Sequence, residues 1–144
     1  MDENITLDNI QLACTATDWE DAIRTAAVPL VSHGSIEPSY VDRMIASVHE
    51  MGPYIVIMPG FALAHAAPGE DVCVSDLSIA TFTQDITFHC DNDPVRVVMC
   101  LACTDREAHI ARLQRIAEKL LDETFVDQML ACSTAQELYQ LINA

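Results

Sequence analysis

The apolar positions of the chain keep two different rhythms. Ile10 to Cys14 is a short apolar run that predicts a strand. Thr17-Asp18-Trp19-Glu20 has the form of a capping box, with Thr17 as N-cap and Glu20 three residues on. Ala22, Ile23, Ala26, Ala27 and Leu30 then follow at helical spacing. Pro29 falls inside that pattern and predicts a kink or an early end. His33-Gly34-Ser35 reads as the stop. Pro38 suits the first position of a second helix, whose buried stripe is Val41, Met44, Ile45 and Val48, and Gly52-Pro53 ends it. Tyr54 to Met58 is apolar and rich in β-formers, which predicts a buried strand. After the Pro59-Gly60 turn, Phe61 to His65 is a further extended run, ended by Ala66-Ala67-Pro68-Gly69.

Leu77 to Phe82 and Ile86 to Phe88 alternate and predict a hairpin around Gln84-Asp85. Asn92-Asp93-Pro94 is a turn. Val95 to Cys103 is a long apolar run, as expected of a central strand covered on both faces. Thr104 or Asp105 caps the next helix, with Ile110, Leu113, Ala117, Leu120 and Leu121 as its apolar face. Phe125 to Leu130 predicts a short helix. Ser133 and Thr134 cap a last one that buries Leu138, Leu141 and Ile142. This order predicts an α/β sandwich with a central mixed β-sheet flanked by helices. Without a repeat, a low-complexity tract or a linker, residues 1–144 are expected to form a single domain.

Composition narrows the classes. Of 144 residues, 51% are hydrophobic and 20% charged, which excludes a disordered chain. No apolar run reaches the ~18 residues of a membrane span. Seven Lys+Arg against 22 Asp+Glu give a net charge of −15. That charge argues against nucleic acid as a partner and favours a basic protein partner. Met1 is followed by Asp2 and Glu3, with neither a basic nor an apolar leader, so a cytoplasmic location with reduced thiols is expected for the six Cys.

Five histidines are the first candidates for chemistry: His33, His49, His65, His89 and His109. His65 ends an apolar run and is followed by small residues. Two readings stand from spacing: a satisfied core histidine, or an imidazole at a sheet edge with room for a phosphoryl group. His109 lies in the first turn of a capped helix that follows the central strand, where free N–H groups and the helix dipole favour anions. A solvent-facing histidine is the alternative. Arg112, Arg115 and Lys119 form a stripe that a solvated face explains. Cys100-Leu101-Ala102-Cys103 has C-x-x-C spacing, but a strand would send its two thiols to opposite faces. Core packing therefore competes with a Cys/His metal or redox protein, and a single C-x-x-C is weak for zinc. P-loop, G-x-G-x-x-G, G-x-S-x-G and H-E-x-x-H motifs are absent from the sequence.

The stretch Gly52-Pro53-Tyr54-Ile55-Val56-Ile57-Met58-Pro59-Gly60-Phe61-Ala62-Leu63-Ala64-His65-Ala66 closely resembles the active-site segment of phosphotransferase system (PTS) enzyme IIA proteins of the mannitol/fructose superfamily, ascorbate-type branch. That branch reads G-P-Y-x-x-x-x-P-G-x-A-x-P-H-A-R-P. Asp18-Trp19 with Ala22-Ile23, Tyr40-Val41, Asn92-Asp93-Pro94-Val95 and Ala108-His109-Ile110 with Leu113 extend the resemblance over nearly the whole chain. The resemblance implies the family's α/β sandwich and a cytoplasmic phosphotransferase component with no cofactor and no metal. His65 would carry the phosphoryl group, received from the phosphocarrier HPr and passed to a cysteine of a IIB protein or domain. That IIB would serve a membrane IIC permease for ascorbate or a related sugar. His109 would help to hold the phosphoryl group, and a homodimer is compatible with the family. A regulatory module, phosphorylated at His65 but signalling to a protein partner, is the alternative.

The sequence departs from the pattern at two positions. Ala64 stands where the branch has Pro, and Ala67 where it has Arg, which removes a cation beside the phosphate site. The Arg and acidic residue of mannitol-type members correspond here to His49 and Pro59 and are not carried over.

Overall fold

The structure is a computed structural model and describes residues 5–143, except for the side chains of Ala108 and His109. The elements are β1 (Ile10–Cys14), α1 (Trp19–Ser32), α2 (Pro38–Met51), β2 (Phe61–His65), β3 (Asp76–Ile86), β4 (Val95–Ala102), α3 (Arg106–Leu120), α4 (Phe125–Ala131) and α5 (Ala135–Asn143). The strands form one four-stranded sheet in the order β1-β3-β4-β2. β1 runs parallel to β3, β2 parallel to β4, and β3 antiparallel to β4, so the sheet is mixed. β4 is an inner strand, as its continuous apolar run predicts.

Side chains alternate across each strand and sort into two cores. Ala62, Ala64, Ala80, Val98, Cys100 and Ala102 face α1 and α2. Phe61, Leu63, Leu77, Ile79, Val97, Met99, Leu101 and Cys103 face the other way, toward Ile116, Phe125, Val126, Met129, Leu138 and Ile142. Helices thus cover both faces of the sheet.

Five local expectations are corrected. The N-cap of α1 is Asp18, not Thr17. Its carboxylate accepts from Asp21 N at 2.8 Å, while Thr17 N donates to Asp21 Oδ2 at 2.9 Å. The box sits one residue later because Glu20 is drawn to His49 and Arg24 instead. The segment Tyr54–Met58 is not a strand. Pro53 and Pro59 bracket it, and turn bonds from Tyr54 N to Gly52 O and from Val56 N to Pro53 O fold it over the outer edge of β2. There Ile55 O accepts from Leu63 N at 2.8 Å, and Ile55 and Val56 are buried while Tyr54 and Ile57 are exposed.

The expected hairpin around Gln84-Asp85 is a single long strand, β3, because both flanks pair with β4: Thr81 opposite Val97 and Ile86 opposite Val95. The intervening residues form an irregularity in the register, held by Arg96 Nε donating to Asp85 at 2.7 Å and by Gln84 donating to Ala16 O. Finally, α3 does not bury the expected face. Among the described residues Ile116 is its buried one and Leu113 and Leu120 pack partly against the core, whereas Ile110 and Ala117 are exposed and Leu121, past the helix end, is 81% exposed. Pro29 does not stop α1 at once, since the helix runs to Ser32 and Gly34 at φ +75° then reverses the chain.

Candidate functional site

The candidate site lies where β2 ends. His65 is the last residue of β2 and pairs in register with Leu101 on β4. Continuing the alternation of Phe61 and Leu63, its side chain projects from the face that α3, α4 and α5 cover. The imidazole is half-buried. Its Nδ1 lies 2.8 Å from Leu63 O, and the Tyr54 ring meets it edge-on with centroids 5.6 Å apart. A carbonyl oxygen can only accept, so Nδ1 is the protonated nitrogen. In the neutral ring the lone pair therefore resides on Nε2, which makes that atom the nucleophile.

Three loops anchor β2, two at its start and one after His65. Gly60 opens β2 with φ +83°, and a Cβ there would come within 3.3 Å of Val126 Cγ1, so the turn needs glycine both for its backbone and for room. Gly60 N donates to Asn92 O, and Asn92 Nδ2 donates to Val56 O at 3.1 Å. The Asn92-Asp93-Pro94 turn is built around Asp93, whose carboxylate accepts from the amides of Phe88, His89 and Cys90 at 2.8, 2.8 and 3.1 Å. The third loop follows His65. Arg43 on α2 donates to Asp71 from Nε (2.9 Å) and Nη2 (2.7 Å), and from Nη2 to Ala67 O (2.9 Å). Ser39 Oγ also donates to Asp71, at 3.1 Å. The guanidinium beside Asp71 holds that carboxyl below the usual carboxylate range, and Asp71 in turn raises Arg43.

The other candidates are placed as follows. His109 sits in the first turns of α3, the helix that follows β4, and its side chain lies outside the described residues. His49 is remote from this strand end. Its Nε2 is 2.9 Å from Glu20 Oε1, and its ring lies 5.0 Å from Trp19 on α1. His33 caps the C-terminus of α1, and His89 occupies an exposed turn at φ +64°. Cys100 and Cys103 are buried in opposite cores, Cys100 beside Met44 at 3.7 Å and Cys103 among the α3–α5 residues. Burial pushes the Cys100 thiol up to about 12 and raises Cys103 too. Both are the opposite of an activated redox pair. Among the described residues, no group of three or more His, Cys, Asp or Glu could hold a metal ion. Nor is any helix among them long and apolar enough to cross a membrane.

Sequence periodicity missed Tyr40. It lies in phase with the Val41, Met44, Ile45, Val48 stripe and is wholly buried. Its hydroxyl accepts from Ala66 N at 3.0 Å and lies 2.8 Å from Leu101 O and 3.1 Å from Ala66 O. Burial holds that phenol protonated, well above its ordinary range.

Fold and chemistry together are those of a histidine-dependent phosphotransferase component. The family model for "Phosphoenolpyruvate-dependent sugar phosphotransferase system, EIIA 2" matches residues 3–144, and the chain belongs to that family. It is 34% identical over 138 residues to the ascorbate-specific PTS system EIIA component of Salmonella choleraesuis (strain SC-B67), covering 94% of this chain and 90% of that protein. The solution structure of the mannitol-specific cryptic phosphotransferase enzyme IIA CmtB from Escherichia coli superposes with a TM-score of 0.87 at 26% identity, covering 97% of this chain and 95% of that one. The complex of enzyme IIA and phosphorylated enzyme IIB for mannitol from Escherichia coli shares the fold, with a TM-score of 0.84 at 23% identity and 96% of each chain covered. The mixed α/β sandwich expected from the sequence is thus the fold of mannitol-type IIA proteins. Proteins of this family are phosphotransferase components that act through a phosphohistidine.

Proposed function

We propose that the chain accepts a phosphoryl group on His65 Nε2 from phospho-HPr and passes it to a cysteine of a IIB partner during uptake of ascorbate or a related substrate. The observation that carries this reading is the 2.8 Å contact between His65 Nδ1 and Leu63 O, which puts the lone pair on Nε2 at the end of an edge strand. In the step, the Nε2 lone pair forms a new P–N bond as the donor's P–N bond breaks, and the donor imidazole leaves with its electron pair. The Nδ1–H, held by Leu63 O, supports the positive charge that would otherwise build on the ring. A loose phosphoryl transition state asks the protein mainly for positioning and charge stabilisation, so no cofactor is required. In this reading His109, from the start of α3, helps to hold the phosphoryl group. A net charge of −15 suits a basic donor surface. The name of the 34% identical relative supports an ascorbate-like substrate. The IIA–IIB complex that shares this fold supports a IIB acceptor, which in turn would serve a membrane IIC permease. The chain would do this work in the cytoplasm.

The test is a phosphotransfer assay. The protein is mixed with phosphoenolpyruvate, enzyme I and HPr and weighed intact. One acid-labile phosphoryl adduct is expected, with none on His65→Ala. An adduct that survives in His65→Ala would overturn the site. No adduct from a competent HPr would favour a regulatory module served by another donor, a reading to which the replacements Ala64 and Ala67 give some weight.

A further inference from the structure

We propose that Tyr40 is a positioning residue for His65, its hydroxyl inserted between the two strands at the rung just beyond the imidazole. The inference rests on the reading of His65 as phosphoryl acceptor. In the parallel β2–β4 ladder, His65 pairs with Leu101. The next rung of such a ladder would join Ala66 N–H to Leu101 C=O. That rung is not made directly. The Tyr40 hydroxyl stands in it, accepting from Ala66 N at 3.0 Å and donating to Leu101 O at 2.8 Å. Both backbone groups are satisfied, yet the strands are held apart by one phenol oxygen. The chain leaves the sheet immediately after His65.

The phenol is itself well held. Tyr40 is wholly buried, and Arg43, one turn on along α2, lies over its ring at 5.0 Å. The same guanidinium donates to Ala67 O and forms the paired contact with Asp71. Residues 66, 67 and 71 are thus fixed by two neighbouring side chains of α2. A Cβ at Gly69 would come within 2.8 Å of Arg43 Nη2, so the loop closes tightly around the guanidinium. Tyr40 and Arg43 therefore set the backbone on the C-terminal side of His65, as Leu63 O sets the ring from the other side. The arrangement also gives Ala67 a definite place: its carbonyl, not a side chain, binds the cation.

The experiment compares wild type with Tyr40→Phe, which keeps the ring and removes the oxygen. In the unphosphorylated protein, ¹⁵N NMR of His65 should show a single tautomer protonated at Nδ1 in wild type and a mixture in the variant. With phospho-HPr, the rate at saturation should fall about ten- to a hundredfold while KM for HPr stays unchanged. A folded Tyr40→Phe protein with the wild-type tautomer and rate overturns the proposal, whatever its melting temperature. If Tyr40→Phe does not fold, Arg43→Gln keeps the hydroxyl and loses the guanidinium bonds. Its His65 ¹⁵N signals should move in the same direction with a smaller loss of rate, and unmoved signals overturn the proposal. Because the NMR readout needs no phosphoryl group, a wild type that takes none refutes the assigned function and leaves the positioning result separate.

Discussion

The two faces of the sheet are packed by opposite means. On the α1/α2 face the strands present mainly small residues, Ala62, Ala64, Ala80 and Ala102, and α1 answers with Ala22, Ala26 and Ala27. Small residues on both sides let the helix approach closely, and Ser78 Oγ reaches Ala26 O at 2.6 Å. On the other face the strands carry the bulk: Phe61, Leu63, Leu77, Ile79, Met99 and Leu101. The helices over them contribute less, with α3 burying Ile116 as its one buried side chain among the described residues. One face is a helix seated into the sheet; the other is a sheet that covers itself and is only roofed. The proposed phosphoryl site draws on both. His65 projects toward the roofed face, while Tyr40 and Arg43 hold its backbone from the seated face. Rigid backbone is thus supplied from one side, and the imidazole is presented on the other.

This contrast predicts unequal costs of truncation. Leu30→Ala, on the seated side of α1 at 0% exposure, should lose about 3–4 kcal/mol, since a close-packed site relaxes little around a cavity. Ile116→Ala on α3 should lose about 2 kcal/mol, the low end for such a truncation, because neighbouring half-buried Leu113 and Leu120 can settle into the space. Urea unfolding of both variants measures the pair. Equal losses would show that the roof is as tightly packed as the seat.

The seated half was the more legible from sequence for the same reason. The stripes of α1 and α2 coincide with burial because those helices lie flat on the sheet, and Pro38 and Gly52 mark the ends of α2. The strand at Val95–Ala102 stood out because it is buried on both faces. Periodicity failed where partners are distant. The face of α3 was drawn through Ile110 and Leu121, which are apolar but roof nothing. Tyr54–Met58 has strand-like composition, yet its fold is decided by two prolines and by Leu63 across the turn. His65 was singled out as the candidate through the motif around it. The role of Tyr40 was hidden in its helical stripe, because its hydroxyl serves residues 26 and 61 positions away.

A smaller effect should come from the Arg43–Asp71 pair that ties α2 to the loop after His65. Asp71 is held below its ordinary pKa in the folded protein, chiefly by the hydrogen bonds from Arg43. A carboxyl lowered on folding stabilises the protein at pH values above its unfolded value of about 4, and that contribution disappears as pH falls through the folded value. Asp71→Asn should therefore be less stable than wild type at pH 7, by about 1 kcal/mol once solvent screening of the partly exposed guanidinium is allowed for. The gap should narrow as the pH is taken below 4. Thermal unfolding of the two proteins across that range checks the sign, and a gap that widened on acidification would contradict it.

The smallest effect concerns thiols, and it tests the two-faced geometry directly. Cys100 and Cys103 sit three residues apart in sequence but in opposite cores, and both are raised by burial. Cys73 is exposed in the loop before β3, where its amide donates to Ser35 O at 2.8 Å. A thiol reagent added to the native protein should label Cys73 first and leave Cys100 and Cys103 unmodified until denaturant is added. A mild oxidant should not join Cys100 to Cys103, since the sheet itself lies between the two sulfurs. Peptide mapping after labelling distinguishes the sites. Native labelling of Cys100 ahead of Cys103 would mean that the seated face opens more readily than the roofed one, reversing the order of rigidity on which the clamp around His65 depends.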